Sequence, residues 1–128
     1  MSIKEKLHVM VVDDMSTSRG LLVQSLEAFG IRNIRSAAHA GDALKELTQR
    51  PAHLVISDLN MPDIDGLQLL ENLRNSDRLK NTGFILITGR ADAEVINRGK
   101  RLGMNNFIKK PFSAQDLKAC VEAVTGRL

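Results

Sequence analysis

Asp13, Asp14, Asp58, Thr88 and Lys110 lie far apart in the chain, yet each stands where a short apolar run ends. The run over 7–12 closes on Asp13 and Asp14, and the run over 54–58 ends in Asp58. Phe84-Ile85-Leu86-Ile87 passes into Thr88 and Gly89, and the run over 106–109 passes into Lys110 and Pro111. If these runs are neighbouring parallel strands, the polar groups meet at one sheet edge, where open α/β sheets bind ligands. Three carboxylates crowded together repel, and a hard divalent cation with oxygen ligands removes the repulsion. Mg²⁺ suits such a site, because it needs only one or two carboxylates and keeps several waters. The backbone carbonyl of Asn60, just past Asp58, offers a further oxygen. Lys110 is a compact point charge for a phosphate oxygen, the Thr88 hydroxyl is a second donor, and Gly89 leaves room for an incoming group. The set is suited to an anionic oxygen cluster attached at Asp58.

Each motif alone also has a plain structural reading. Asp13-Asp14 before a helix is a natural N-cap. Asp58 before Asn60 and Pro62, and Lys110 before Pro111, can be turn chemistry, and Thr88-Gly89 can open a helix. Weight comes from separate strand ends converging on one chemistry. His8, His39 and His53 show no metal-ligand spacing. Cys120 is the only cysteine, so it forms no internal disulfide, and its apolar helical setting reads as that of a small hydrophobe. Ser16-Thr17-Ser18 faintly suggests a flavodoxin-like phosphate loop, but the acidic pair before it would repel a phosphate, and four Phe are the only aromatics available to sandwich a flavin. An aspartyl-phosphate phosphatase would carry an Asp-x-Asp spacing after its first strand, whereas here the two acids are adjacent.

The elements that must position these groups follow from hydrophobic periodicity and stop signals. Strands are predicted over 7–12, 33–37, 54–58, 84–88 and 106–109, the second being the weakest. Helices are predicted over 15–29, 40–49, 66–74, 91–102 and 113–124. Gly30 and Gly103 stop two of them, and Pro51 ends another. Asp65 with Gln68, and Ser113 with Asp116, form capping boxes. Inward-facing residues are Leu22, Leu26 and Phe29, then Ala40, Ala43, Leu44 and Leu47, then Leu67, Leu70 and Leu73. Five strands each followed by a helix call for an α/β fold, a single (βα)5 doubly wound parallel sheet with right-handed crossovers.

The 128 residues fit one domain spanning 1–128, with no output domain expected. A chain of this size buries roughly two-thirds of its unfolded surface and needs no staple. The composition is 43% hydrophobic and 26% charged, ordinary for a globular protein. The apolar runs are too short to span a bilayer. No basic-then-apolar leader is visible, which points to a cytoplasmic protein. The net charge is +3, but the basic residues are scattered and the aromatics few, which argues against direct nucleic-acid binding.

Taken together, Val12-Asp13-Asp14-Met15-Ser16-Thr17-Ser18-Arg19, Val55-Ile56-Ser57-Asp58-Leu59-Asn60-Met61-Pro62, Asp65-Gly66, Thr88-Gly89 and Lys110-Pro111-Phe112 resemble the receiver domain of response regulators, in its stand-alone, CheY-like chemotaxis form. The resemblance covers essentially the whole chain. It implies a flavodoxin/CheY-like sheet of order 2-1-3-4-5, with Asp58 as phosphoacceptor. It implies that Mg²⁺ is held by Asp14 directly, by Asp13 through water, by Asp58, and by the Asn60 backbone carbonyl. Thr88 and Lys110 would bind the phosphoryl oxygens, Phe107 would be the aromatic switch, and Gly89 and Arg90 would modulate the site. It also implies a cis Lys110-Pro111 peptide. The implied partners are a sensor histidine kinase (CheA-like) and, for output, a flagellar motor switch protein (FliM-like) or a phosphatase, with the chain a monomer that touches no membrane. Output is alternatively a phosphate sink or binding of a regulator outside motility. Two departures bear on output: Phe107 stands where chemotaxis regulators commonly carry Tyr, and Asp92-Ala93-Glu94 replace a lysine-rich stretch.

Overall fold

The computed structural model describes residues 3–62, 64–89 and 92–126. Eleven elements follow in chain order: α1 (Ile3–Lys6), β1 (His8–Val12), α2 (Ser16–Ala28), β2 (Asn33–Ala37), α3 (Ala40–Gln49), β3 (Leu54–Asp58), α4 (Gly66–Arg74), β4 (Gly83–Thr88), α5 (Ala93–Arg101), β5 (Asn106–Lys109) and α6 (Ala114–Thr125). The strands form one parallel sheet in the order β2-β1-β3-β4-β5.

Alternation along the buried strands divides the core in two. Val9 and Val11 of β1, Leu54 and Ile56 of β3, and Ile85 and Ile87 of β4 pack with Leu22 and Leu26 of α2 and Leu117 and Val121 of α6. Met10, Val12, Val55, Phe84 and Leu86 point to the other face, against Ala43 and Leu47 of α3 and Leu67, Leu70 and Leu73 of α4. Every residue of β3 is buried. Strands covered on both faces read as apolar runs rather than alternation, which is why the sequence signals them so strongly. β2 is the edge strand and only Ala37 in it is buried, hence its weak signal. α5 is the least embedded long helix: Gly99 is its one buried residue.

The predicted elements are present with small shifts at their ends. β1 begins at His8 rather than 7, α2 spans Ser16–Ala28 rather than 15–29, β4 gains Gly83, α5 spans Ala93–Arg101 and α6 Ala114–Thr125. The predicted start of α5 at Ala91 lies outside the described residues. Both capping boxes form, Asp65 with Gln68 and Ser113 with Asp116. Gly30 and Gly103 end their helices with φ of +94° and +85°, a conformation that favours glycine. Leu69 is buried as well as Leu67, Leu70 and Leu73, so α4 buries more of its circumference than its spacing suggested. The Lys110-Pro111 peptide is cis. The short helix α1 was not foreseen. The Leu7 amide donates to its Ile3 carbonyl, and the side chain of Asn33, the first residue of β2, donates to its Glu5 carbonyl. No helix among the described residues is long and apolar enough to cross a membrane.

Candidate functional site

The parallel register brings the polar strand ends to one edge. Asp58 is paired in register with Ile87 on β4, and Thr88 with Lys109 on β5. Asp13 and Asp14 follow β1, which lies beside β3. Asp13, Asp14 and Asp58 each present a carboxylate oxygen, and these oxygens lie within 4.8 Å of one another. Asp13 is wholly buried, Asp58 nearly so and Asp14 exposed, so the cluster opens to solvent on the Asp14 side.

The two buried acids are handled differently. Asp58 Oδ1 pairs with the Lys110 ammonium at 3.1 Å. Burial pushes the Asp58 carboxyl above its ordinary range; Lys110 opposes the rise and the neighbouring Asp13 adds to it. Asp13 has no such cation on its side chain. Its Oδ1 accepts from the Met15 amide at 3.0 Å, while Oδ2 is buried without a hydrogen-bond partner. An orphaned, buried carboxylate oxygen on a residue clustered with two more carboxylates is costly unless something positive completes the site. The donor set is all oxygen, which suits a hard divalent cation. On these grounds Mg²⁺ fits the residues present.

The N-cap reading of Asp13-Asp14 does not hold. Met15 is the N-cap of α2, with no side-chain cap, and the Asp13 side chain instead closes a tight turn just ahead of the helix. Thr88 is fully buried at the end of β4 and does not open a helix, since the N-cap of α5 is Asp92. A Cβ added at Gly89 would meet nothing within 4 Å, so the protein's own packing does not demand glycine there. Asn60 is exposed beside the cluster. Phe107 is half-buried against the α3–α4 core, and its carbonyl accepts a long hydrogen bond from the Cys120 thiol at 3.7 Å. Arg90 lies outside the described residues. Sequence reasoning missed Arg19, whose guanidinium donates to the Asp13 carbonyl at 2.7 Å. It also missed Arg74, which ties the end of α4 to the carbonyls of Lys80, Thr82 and Gly103 and to the Asn105 side chain. Neither contact leaves a periodic trace in the chain.

Residues 9–122 match the response regulator receiver domain family. The chain is 43% identical over 128 residues to a probable chemotaxis protein CheY of Rhizobium etli, covering 100% of this chain and 99% of that protein. It is 32% identical to chemotaxis protein CheY-3 of Vibrio cholerae, covering 98% of this chain and 97% of that one. The structure superposes on that of Vibrio cholerae chemotaxis protein CheY4 with a TM-score of 0.87 at 26% identity, covering 92% of this chain and 98% of the other. Receiver domains bind Mg²⁺ in an acidic pocket, and this chain has an acidic cluster at Asp13, Asp14 and Asp58. The chain belongs to the response-regulator receiver domains, as a CheY-like signalling protein of a two-component system that phosphorylation activates, with relatives of the chemotaxis type.

Proposed function

We propose that Asp58 is the phosphoacceptor and that the chain catalyses its own phosphorylation and dephosphorylation. The observation that carries this reading is the contrast between the two buried acids. Asp58 stands at the end of the central strand with a lysine on one oxygen, and the Asp13 Oδ2 orphan waits beside it. A kinase phosphohistidine presents its phosphoryl group to the Asp58 carboxylate. The Asp58 oxygen forms the new O–P bond as the N–P bond breaks, and the electron pair leaves with the imidazole, giving an acyl phosphate. Lys110 holds a phosphoryl oxygen, and the Thr88 hydroxyl donates to another, so positioning and charge stabilisation lower the barrier. Asp13, Asp14, Asp58 and the Asn60 carbonyl would hold Mg²⁺, which when bound neutralises the acidic cluster and the charge on the phosphoryl oxygens. Water later cleaves the acyl phosphate at phosphorus, returning the carboxylate and releasing inorganic phosphate. Asn60, Gly89 and Arg90 modulate the rate of this step.

In this reading Thr88 is drawn toward the phosphoryl group and Phe107 turns into the space it leaves. The face formed by α5, β5 and α6 then changes shape and binds its partner. Phe107 has no hydroxyl, so its inward state needs no hydrogen-bond acceptor. The chain works as a single domain in the cytoplasm as a monomer. A CheA-like kinase supplies the phosphoryl group, and a FliM-like motor switch protein or a phosphatase reads the result. The chemotaxis relatives favour a chemotactic output, which we read as motor control. The alternatives are a phosphate sink and binding of a regulator outside motility. Capture of partners with and without beryllofluoride separates them, since a sink yields no partner that depends on the activated state and the identity of a captured partner distinguishes the other two.

The test uses acetyl phosphate with Mg²⁺. The chain gains one acid-stable, hydroxylamine-labile phosphoryl group per molecule, and Asp58→Asn abolishes it. Labelling that survives Asp58→Asn places the acceptor elsewhere.

A further inference from the structure

Asp13 is held on three sides. Its amide donates to the Ala37 carbonyl at 3.1 Å, its carbonyl accepts from Arg19 Nη1 at 2.7 Å, and its Oδ1 accepts from the Met15 amide at 3.0 Å. Only Oδ2 is left, buried and without a partner, on a residue of the acidic cluster. The turn carrying both Asp13 and Asp14 leads into α2, whose N-cap Met15 provides no side-chain cap. That turn therefore lacks the usual tie between a cap side chain and the first helical turn. Among the described residues, the side-chain hydrogen bonds that hold it are the one from Met15 to Asp13 and the one from Arg19. Arg19 sits one turn into α2, where its amide donates to the Met15 carbonyl, so a rigid helix anchors the guanidinium. A planar guanidinium donates in a fixed direction, which an ammonium on a flexible stem does not.

We propose that Arg19 is a positioning residue for the metal centre. Its bond to the Asp13 carbonyl fixes the peptide between Asp13 and Asp14, and so aims the free Asp13 oxygen and the Asp14 carboxylate at one point. The inference rests on the reading of Asp13, Asp14 and Asp58 as the Mg²⁺ site. Outer partners that orient ligands typically change metal affinity about 10- to 100-fold when removed. Arg19 also brings a positive charge close to the site, and by charge alone its loss would tighten cation binding. The two effects have opposite signs, so a direct measurement separates them.

The experiment is a calorimetric Mg²⁺ titration of the wild-type chain and of Arg19→Met, Arg19→Gln and Arg19→Lys, with amide exchange at Met15 followed in metal-free protein. Arg19→Met should raise the Mg²⁺ Kd about tenfold and speed exchange of the Met15 amide. Arg19→Lys, which keeps a donor but not its fixed direction, should recover only part of the affinity. A variant that loses thermal stability but binds Mg²⁺ with the wild-type Kd reduces Arg19 to a structural tie and overturns the proposal, as does tighter binding in Arg19→Met. Should Arg19→Met not fold, Arg19→Gln decides: a Kd equal to that of the wild type overturns the proposal, and a weaker one supports it. No uptake by the wild-type chain overturns the reading of the pocket itself, a result distinct from normal uptake that is indifferent to Arg19.

Discussion

Gly66 opens α4 directly against the strand that carries Asp58, and a single added methyl there has a calculable consequence. A Cβ at this position would collide with the Asp58 carbonyl oxygen and lie 3.0 Å from Leu86 Cδ1 and 3.1 Å from Leu59 Cα. Two of these three neighbours are backbone, and the Gly66 amide is itself bonded to the Leu59 carbonyl at 2.9 Å, so no rotamer change relieves the clash. Carbon contacts are comfortable at about 3.5–4.0 Å, so α4 and the end of β3 must separate by roughly 1 Å. Overpacking of this kind costs about 1–3 kcal/mol, and the helix preference of alanine returns at most about 1 kcal/mol. We expect Gly66→Ala to lose about 1–2 kcal/mol net, a fall of about 4–8 °C in Tm for a domain of this size. Two glycines provide internal controls. Gly20 in α2 and Gly41 in α3 would meet nothing within 4 Å, so Ala at either should stabilise by about 0.5–1 kcal/mol. The displaced backbone carries the proposed acceptor, so labelling by acetyl phosphate should slow by about 10- to 100-fold in Gly66→Ala and not in the controls. Urea unfolding and a labelling time course on the three variants suffice. If Gly66→Ala proves as stable as Gly20→Ala, the reasoning from close approach is wrong.

Arg74→Met removes four hydrogen bonds from one half-buried guanidinium, at 2.7 to 3.2 Å, and should cost about 2–4 kcal/mol in urea unfolding, with Arg74→Lys recovering less than half because an ammonium cannot fork. Burial pushes the Cys120 thiol from 9.0 up to about 11, so its neutral form is favoured in the fold. Its contribution is full below pH 9.0 and is lost as pH rises through about 11. Relative to Cys120→Ala, wild-type stability should fall by about 1.4 kcal/mol per pH unit across that window, measured by urea midpoints from pH 8 upward. Asp13→Asn relieves repulsion within the acidic cluster, about 3.5 kcal/mol for each pair of charges at the outer separation of 4.8 Å and an effective dielectric of about 20. Metal-free protein should therefore gain stability, while the extra stability that Mg²⁺ confers on the wild type should shrink, both read by calorimetry.

How much of this was legible in the chain depends on the kind of interaction. The strands and their order of appearance were legible because a parallel sheet buried on both faces requires unbroken apolar segments, and Val9 to Val12 and Phe84 to Ile87 are all essentially inaccessible. The ends of those segments were legible for the same reason: the polar residues that follow each one mark where the strand leaves the core, and there the acids and Lys110 gather. Caps such as Asp65 with Gln68 are local hydrogen bonds at fixed offsets, so they too can be read. The hydrogen bonds of Arg19 and Arg74 could not be read. A long cationic side chain has many reachable acceptors, and only the folded backbone selects the Asp13 carbonyl for one and the carbonyls of Thr82 and Gly103 for the other. Edge elements were harder as well. α1 is a single turn with no buried residue, and β2 is half-covered, so burial supplied little pattern in either case.

The same division separates what stabilises the fold from what the site demands. The strand interiors satisfy every local rule, whereas the Asp13, Asp14 and Asp58 end breaks one by bringing three carboxylates together and leaving a buried oxygen unpaired. A turn before α2 built only for stability would cap the helix from its N-cap residue, and Met15 does not. Instead the Asp13 side chain is spent on the turn with one oxygen and withheld from the protein with the other. On the proposed reading the withheld oxygen takes the metal ion as its partner, so stability and signalling pull in opposite directions at this one residue.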